Sequence, residues 1–158
     1  MRVATANAMD RSLEQIQLRQ QALAVLQTDL HDGDPVLRRK AVAAMGQTRD
    51  GALVDAVLPL LQDQNAQVQA QAAESLGQLG ANKALAALHQ AAENSAVAAV
   101  RVAAAGALDQ LADESGRSLL RQLLHDKSPD TRLRAAYLLC TREEPEALAM
   151  LTALVERS

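Results

Sequence analysis

The residues of this 158-residue chain with the means to do more than pack are His31, His89 and His125, the lone Cys140, and the basic triplet Arg38-Arg39-Lys40. A histidine beside a carboxylate suits metal ligation or proton transfer, and Leu30-His31-Asp32 and Leu124-His125-Asp126 have that form. Both histidines stand fifteen residues ahead of the end of a recurring segment, at Gly46 and at Cys140. Three helix layers of about 8 to 10 Å each would then separate them by roughly 25 to 30 Å, too far to share an ion. A place near a helix C-terminus, where a partly protonated imidazole is favourable, accounts for them. Cys140 permits no intrachain disulfide and no cysteine-rich zinc site, and no catalytic histidine or asparagine arrangement accompanies it. No glycine-rich phosphate loop follows a strand. The expectation is no catalytic residue, no metal and no cofactor.

The elements that must carry these residues are helices. Phe and Trp are absent, Tyr137 is the only aromatic residue, and 33 alanines and 26 leucines fill over a third of the chain. Strands favour aromatic and β-branched residues, and the near absence of aromatics, with Ile16 the only isoleucine, argues against a sandwich or a doubly wound sheet. Four segments superpose without gaps: LRRKAVAAMG from Leu37, VQAQAAESLG from Val68, VRVAAAGALD from Val100 and TRLRAAYLLC from Thr131, their ends separated by 31, 32 and 31 residues. A fixed period of this size marks units that bury their apolar faces by stacking on one another. The first, fifth and ninth residues of each segment make one helical face, as in Val100, Ala104 and Leu108. These are the B helices, opening at Asp34-Pro35 and Ser128-Pro129, and Gly46 and Gly77 are expected to end two of them as left-handed caps. Between them lie the A-helix stripes Leu53, Val57, Leu60 and Leu61; Leu85, Leu88 and Ala92; Leu119, Leu120, Leu123 and Leu124. Leu13, Ile16, Leu23, Leu26 and Leu30 form a stripe ahead of them, and Leu148, Leu151, Leu154 and Val155 one behind.

Alternating helices at this period, a turn with Asp-x-Asp-Pro, and a second helix of the form V-R-x-x-A-A-x-x-L-G resemble the HEAT-repeat family, and in particular its short bacterial phycobilisome-lyase-type repeats. The resemblance spans Ser12 to Arg157. It implies an all-α, right-handed α-solenoid of about four to five helix pairs over 12–158, with 1–11 an N-terminal extension that need not be ordered. It implies B helices lining a concave face, and macromolecular binding more often than catalysis. In such arrays the arginine found at Arg38, Arg101 and Arg132, but replaced by Gln69, bonds to a turn aspartate of the same or adjacent repeat, here among Asp32, Asp34, Asp63 and Asp126. Deoxyhypusine hydroxylase, an enzyme of this repeat class, holds iron through His-Glu pairs, but here Asp32, Gln90 and Asp126 follow the histidines.

The third, fourth and seventh residues of each segment are expected to face outward. That places Arg39 and Lys40 on the concave face, with Arg38 in the ladder. Toward the C-terminus the same positions turn apolar: Ala70, then Val102, Ala103 and Gly106, then Leu133 and Tyr137. Arg39, Lys40, Val102, Leu133 and Tyr137 are therefore the candidate partner-binding residues, with Tyr137 as aromatic anchor. The competing reading packs Leu133 and Tyr137 beneath the last A helix or against another subunit. A net charge of −3 and a single aromatic residue disfavour nucleic acid, and the charge equally disfavours an anionic membrane. With no spanning run and no signal-peptide core, the expected location is the cytoplasm. The favoured function is a protein-protein adaptor or scaffold; the alternatives are an accessory or chaperone-like subunit of a tetrapyrrole lyase, and a nucleic-acid-binding solenoid.

Overall fold

A computed structural model describes residues 2–141, 149 and 152, with side chains from Leu13 onward. The regular elements are helical throughout the described residues: α1 (Arg2–Asp29), α2 (Pro35–Gln47), α3 (Val54–Val57), α4 (Ala66–Gln78), α5 (Leu85–Asn94), α6 (Ala98–Gln110), α7 (Glu114–Leu123) and α8 (Pro129–Cys140). Short 3₁₀ turns, Gly51–Leu53, Leu58–Gln62 and Asn82–Ala84, flank α3 and precede α5. The B helices α2, α4, α6 and α8 stack in chain order, with the most extensive contacts between α2 and α4 and between α4 and α6. This is an α-solenoid, as the repeat period requires. The final A-helix stripe, Leu148 to Val155, lies outside the described residues.

Residues 2–11 belong to α1, which continues to Asp29. Two local departures from the sequence-based expectation have physical causes. The A helix of the second pair is reduced to one α-turn, Val54–Val57, because Pro59 supplies no N–H and the chain tightens to 3₁₀ around it. Its apolar residues still reach the core, with Leu53, Val57 and Leu61 buried. Gly46 and Gly77, expected as left-handed caps, lie inside α2 and α4. The left-handed residues come three positions after the ends of the first three segments, at Arg49 (φ 54°), Gly80 (φ 68°) and Ala112 (φ 60°).

Close approach explains the helical glycines instead. A Cβ on Gly46 would sit 2.6 Å from the Ser75 hydroxyl, and one on Gly77 would sit 3.0 Å from the Ala107 backbone. Each glycine thus lets the next B helix come nearer than a side chain would permit, which is how an alanine-rich core packs without voids. The buried Ser75 hydroxyl donates to the Val42 carbonyl at 3.0 Å, tying α4 to α2 at the same contact.

The turns before the B helices repeat one hydrogen-bond pattern. Asp32, Asp63, Ser95 and Asp126 each accept from the backbone N–H two residues on, at 2.7, 2.8, 3.3 and 2.9 Å. Asp34, Asn65 and Ser128 then cap α2, α4 and α8, while Val97 begins α6 with no side-chain cap. The arginines of the ladder reach back to the turn carbonyls: Arg38 to Asp32 at 2.7 Å, Arg101 to Ser95 at 2.9 Å, Arg132 to Asp126 at 2.9 Å. Gln69 makes the same bond to the Asp63 carbonyl at 2.6 Å.

Candidate partner-binding face

The ladder arginines also look forward. Arg38 holds Asp63 of the next turn through two bonds of 2.8 Å, and Arg101 holds Asp126 at 3.0 Å. Of the four aspartates that the sequence offers, Asp63 and Asp126 are the carboxylate partners, while the Asp34 carboxylate is committed to capping α2. The Arg38 guanidinium holds the Asp63 carboxyl below its usual value against the opposing effect of burial. The Asp126 carboxyl is lowered first by the Ser128 N–H, then by Arg101. One rung is missing, and both of its ends are replaced: Gln69 stands where the arginine belongs and Ser95 where the aspartate belongs.

On the side of the stack away from the A helices, the B helices enclose two adjoining depressions. The first, of about 640 Å³, is lined by Arg39, Gln67, Gln71, Glu74, Ala99 and Arg134 among others. The second, of about 300 Å³, takes in Gln78, Ala103, Gly106, Gln110, Tyr137 and Leu138. Glu74 and Arg134 line both. Their side chains form an ion pair that joins α4 to α8. The pair lies where the two linings overlap.

The five candidate residues fare differently. Arg39 is exposed and lines the first depression; Lys40, exposed beside it, lies outside the lining. Tyr137 is 63% exposed and lines the second, and Leu133 is 48% exposed outside both. Val102 is a correction: it is fully buried. Ala70, Ala103 and Gly106, also expected to face outward, are buried as well. The cause is that an interior B helix has another on either flank. A Cβ on Gly106 would lie 2.9 Å from Leu138, so α8 presses on the side of α6 to which Val102, one turn earlier, belongs. The outward apolar positions of the last B helix remain open because no described B helix follows it. The sequence did not single out Arg134, Gln67, Gln78 or Gln110 for this face; the available signal for Arg134 is that it occupies the place of Lys40 in the fourth segment.

His89, Ser115 and Asp113 meet at the junction of α5 and α7. His89 Nε2 lies 3.2 Å from Asp113 and Nδ1 lies 3.4 Å from the Ser115 hydroxyl. These are the residue types of a hydrolytic triad, yet the Ser115 hydroxyl donates to Asp113 at 2.5 Å, and Asp113 also caps α7 by accepting from the Ser115 N–H. The serine proton is directed to the carboxylate and not to the imidazole, contrary to what nucleophile activation requires. The Asp113 carboxyl is lowered chiefly by that hydroxyl bond. The cluster is a clamp between A helices. Among the described residues no three His, Cys, Asp or Glu side chains group so as to hold a metal, and no helix is long and apolar enough to cross a membrane.

Stacked helix pairs joined by an Arg–Asp ladder, with an indented face on the B helices, define a helical-repeat solenoid. A family model for HEAT repeats matches residues 22–98 and 86–158, and the chain belongs to the HEAT-repeat family. No curated protein matches the sequence. Human deoxyhypusine hydroxylase, solved in complex with glycerol, is similar in structure at 22% identity and a TM-score of 0.55, over 82% of this chain and 54% of that one. The chain therefore spans about half the length of the hydroxylase. The complex of CpcE and CpcF of phycocyanin lyase from Nostoc sp. PCC7120 is similar at 20% identity and a TM-score of 0.55, over 85% of this chain and 70% of that one. At these identities the likeness is one of fold.

Proposed function

We propose that this chain is a non-enzymatic adaptor or scaffold, acting in the cytoplasm, that binds a segment of a partner protein on its B-helix face. The observation that carries the reading is the pair of adjoining depressions lined from all four B helices, with Tyr137 standing 63% exposed at one of them. An exposed tyrosine offers a large, rigid contact surface with a polar tip, the kind of side chain that anchors interfaces. Arg39 and Tyr137 belong to the site directly, Lys40 and Leu133 border it, and the fully buried Val102 has no part in it. The similarity in fold to a lyase complex of two proteins supports repeat-mediated assembly with another protein.

Site-directed photo-crosslinking in native-host extract tests this. A benzophenone side chain at position 137 should join the chain to one discrete protein, and the same group at Lys83, exposed on the A-helix side, should not. Tyr137→Ala should weaken capture of that protein at least tenfold while leaving the urea midpoint nearly unchanged, since an anchor of this type is worth about 2 kcal/mol or more. Crosslinks from position 83 alone would overturn the reading.

A further inference from the structure

The two depressions differ from an ordinary helix-docking groove. Their buried floor is made of Ala70, Ala103 and Gly106, side chains too short to wall the pockets that the i, i+3, i+4 anchors of an amphipathic helix need, with the exposed Val97 and Ala99 at the edge of the first. Along the rim stand Gln67, Gln71, Gln78 and Gln110, whose amides each donate and accept. Amides of that kind match the alternating N–H and C=O groups of an extended backbone, and a floor of alanine and glycine lets such a backbone lie close.

The charges give the partner its sign. The lining contains two cations, Arg39 and Arg134, against one carboxylate, Glu74, and Lys40 adjoins Arg39 on α2. This surplus of positive charge sits on a chain whose net charge is −3. Arg39 and Lys40 have no ion-pair partner among the described residues. Arg134 has one, Glu74, and that bond crosses from α4 to α8 at the boundary of the two hollows. Opening it would turn two hollows into one trough running from Arg39 to Tyr137.

Resting on the adaptor reading above, we propose that the occupant is an extended acidic protein segment. Its carboxylates pair with Arg39 and Lys40 and take the place of Glu74 on Arg134, and an apolar side chain next to them packs on Tyr137 and Leu138. Glu74 is a built-in competitor: it satisfies Arg134 in the free protein and gives way to the ligand.

Fluorescence anisotropy with a short labelled peptide alternating glutamate and serine and ending in leucine tests the proposal on the full chain. The peptide should bind, its lysine-for-glutamate counterpart should not, and added salt should weaken binding because the contacts are exposed charges. Glu74→Gln and Arg134→Gln remove the same ion pair, so any effect on folding is shared, yet they act oppositely on binding. Glu74→Gln should tighten the glutamate peptide several-fold, and Arg134→Gln should weaken it by about tenfold. No binding at millimolar peptide, binding of the lysine peptide, equal binding of a single-stranded thymidine oligonucleotide, or weakening by Glu74→Gln would each overturn it. Crosslinking from position 137 to a native partner in the face of such a result would leave the adaptor reading standing and remove only the acidic segment.

Discussion

Gly116 is the position where adding one methyl group should be felt most. It lies in the first turn of α7, and a Cβ there would stand 2.3 Å from the Asp109 nitrogen and 2.8 Å from both the Ala105 oxygen and the Leu108 carbonyl carbon. All three are backbone atoms of α6 and cannot rotate away. Ordinary contact begins at 3.4 Å, so Gly116→Ala forces α7 outward by about 1 Å, a gap that forfeits roughly a quarter to a half of each contact it opens. The fully buried Leu120, one turn on, rides on the same helix. Overpacking of this kind costs about 1 to 3 kcal/mol, offset by about 1 kcal/mol of improved helix propensity. Gly33→Ala is the matched control: nothing lies within 4 Å of its Cβ position, and its φ is not left-handed. There, reduced freedom of the unfolded chain should stabilise by about 0.4 to 1 kcal/mol. The two variants should therefore differ by about 2 kcal/mol, or on the order of 1 M in urea midpoint followed by circular dichroism. Coincident midpoints would show that α7 does not rest on the α6 backbone as described.

Restoring the missing rung, with Gln69→Arg and Ser95→Asp together, should raise the urea midpoint by more than the sum of the single substitutions, since either charge alone lacks its partner across the two repeats; additivity in the double-mutant cycle counts against the ladder geometry. Acid should destabilise the fold as pH falls below the ordinary aspartate value of 3.8, because Asp63, Asp113 and Asp126 are all lowered in the native state and the unfolded chain takes up protons first. In Asp63→Asn the loss of midpoint between about pH 6 and about pH 3 should shrink, and an unchanged loss refutes that assignment. Val102→Ala should cost about 2 kcal/mol through lost burial and a cavity, whereas Leu133→Ala, on an open surface, should cost less than about 0.5 kcal/mol; equal urea midpoints would contradict the burial pattern of α6 and α8.

The repeat period, the B helices and the ladder arginines were legible because each recurs, and recurrence separates a structural role from chance. The faces of the B helices were legible only in part. A spacing of four identifies the side of a helix that packs on one neighbour, and Ala41, Ala72, Ala104 and Ala135 are buried accordingly. An interior B helix has neighbours on more than one side, and the sixth residue of every segment, Val42, Ala73, Ala105 and Ala136, is buried just as fully. In α6 the buried run extends without a break from Val102 through Leu108. A periodicity argument has no means of marking a residue that is buried by its place in the stack. The same limit applies to Gly46 and Gly77, whose role depends on what the next helix brings against them, and to His89, whose partners Asp113 and Ser115 arrive from another repeat.

The two kinds of ion pair divide the labour of the molecule. The ladder pairs join consecutive repeats at turns where the aspartates are largely enclosed, with the Asp63 side chain 7% exposed and both of its oxygens engaged by the Arg38 guanidinium, one of them by the Asn65 N–H as well. Removing one partner there leaves an enclosed charge behind, which makes these bonds structural. The Glu74–Arg134 pair skips a repeat, lies on an open face, and keeps its arginine 48% and its glutamate 33% exposed. Pairs so exposed contribute about 0 to 1 kcal/mol. Exchange of Glu74 for a ligand carboxylate therefore costs the fold little while giving Arg134 an equivalent bond. An ion pair at this position, weak in stability and placed between two hollows, has the energetics of a contact that can be replaced.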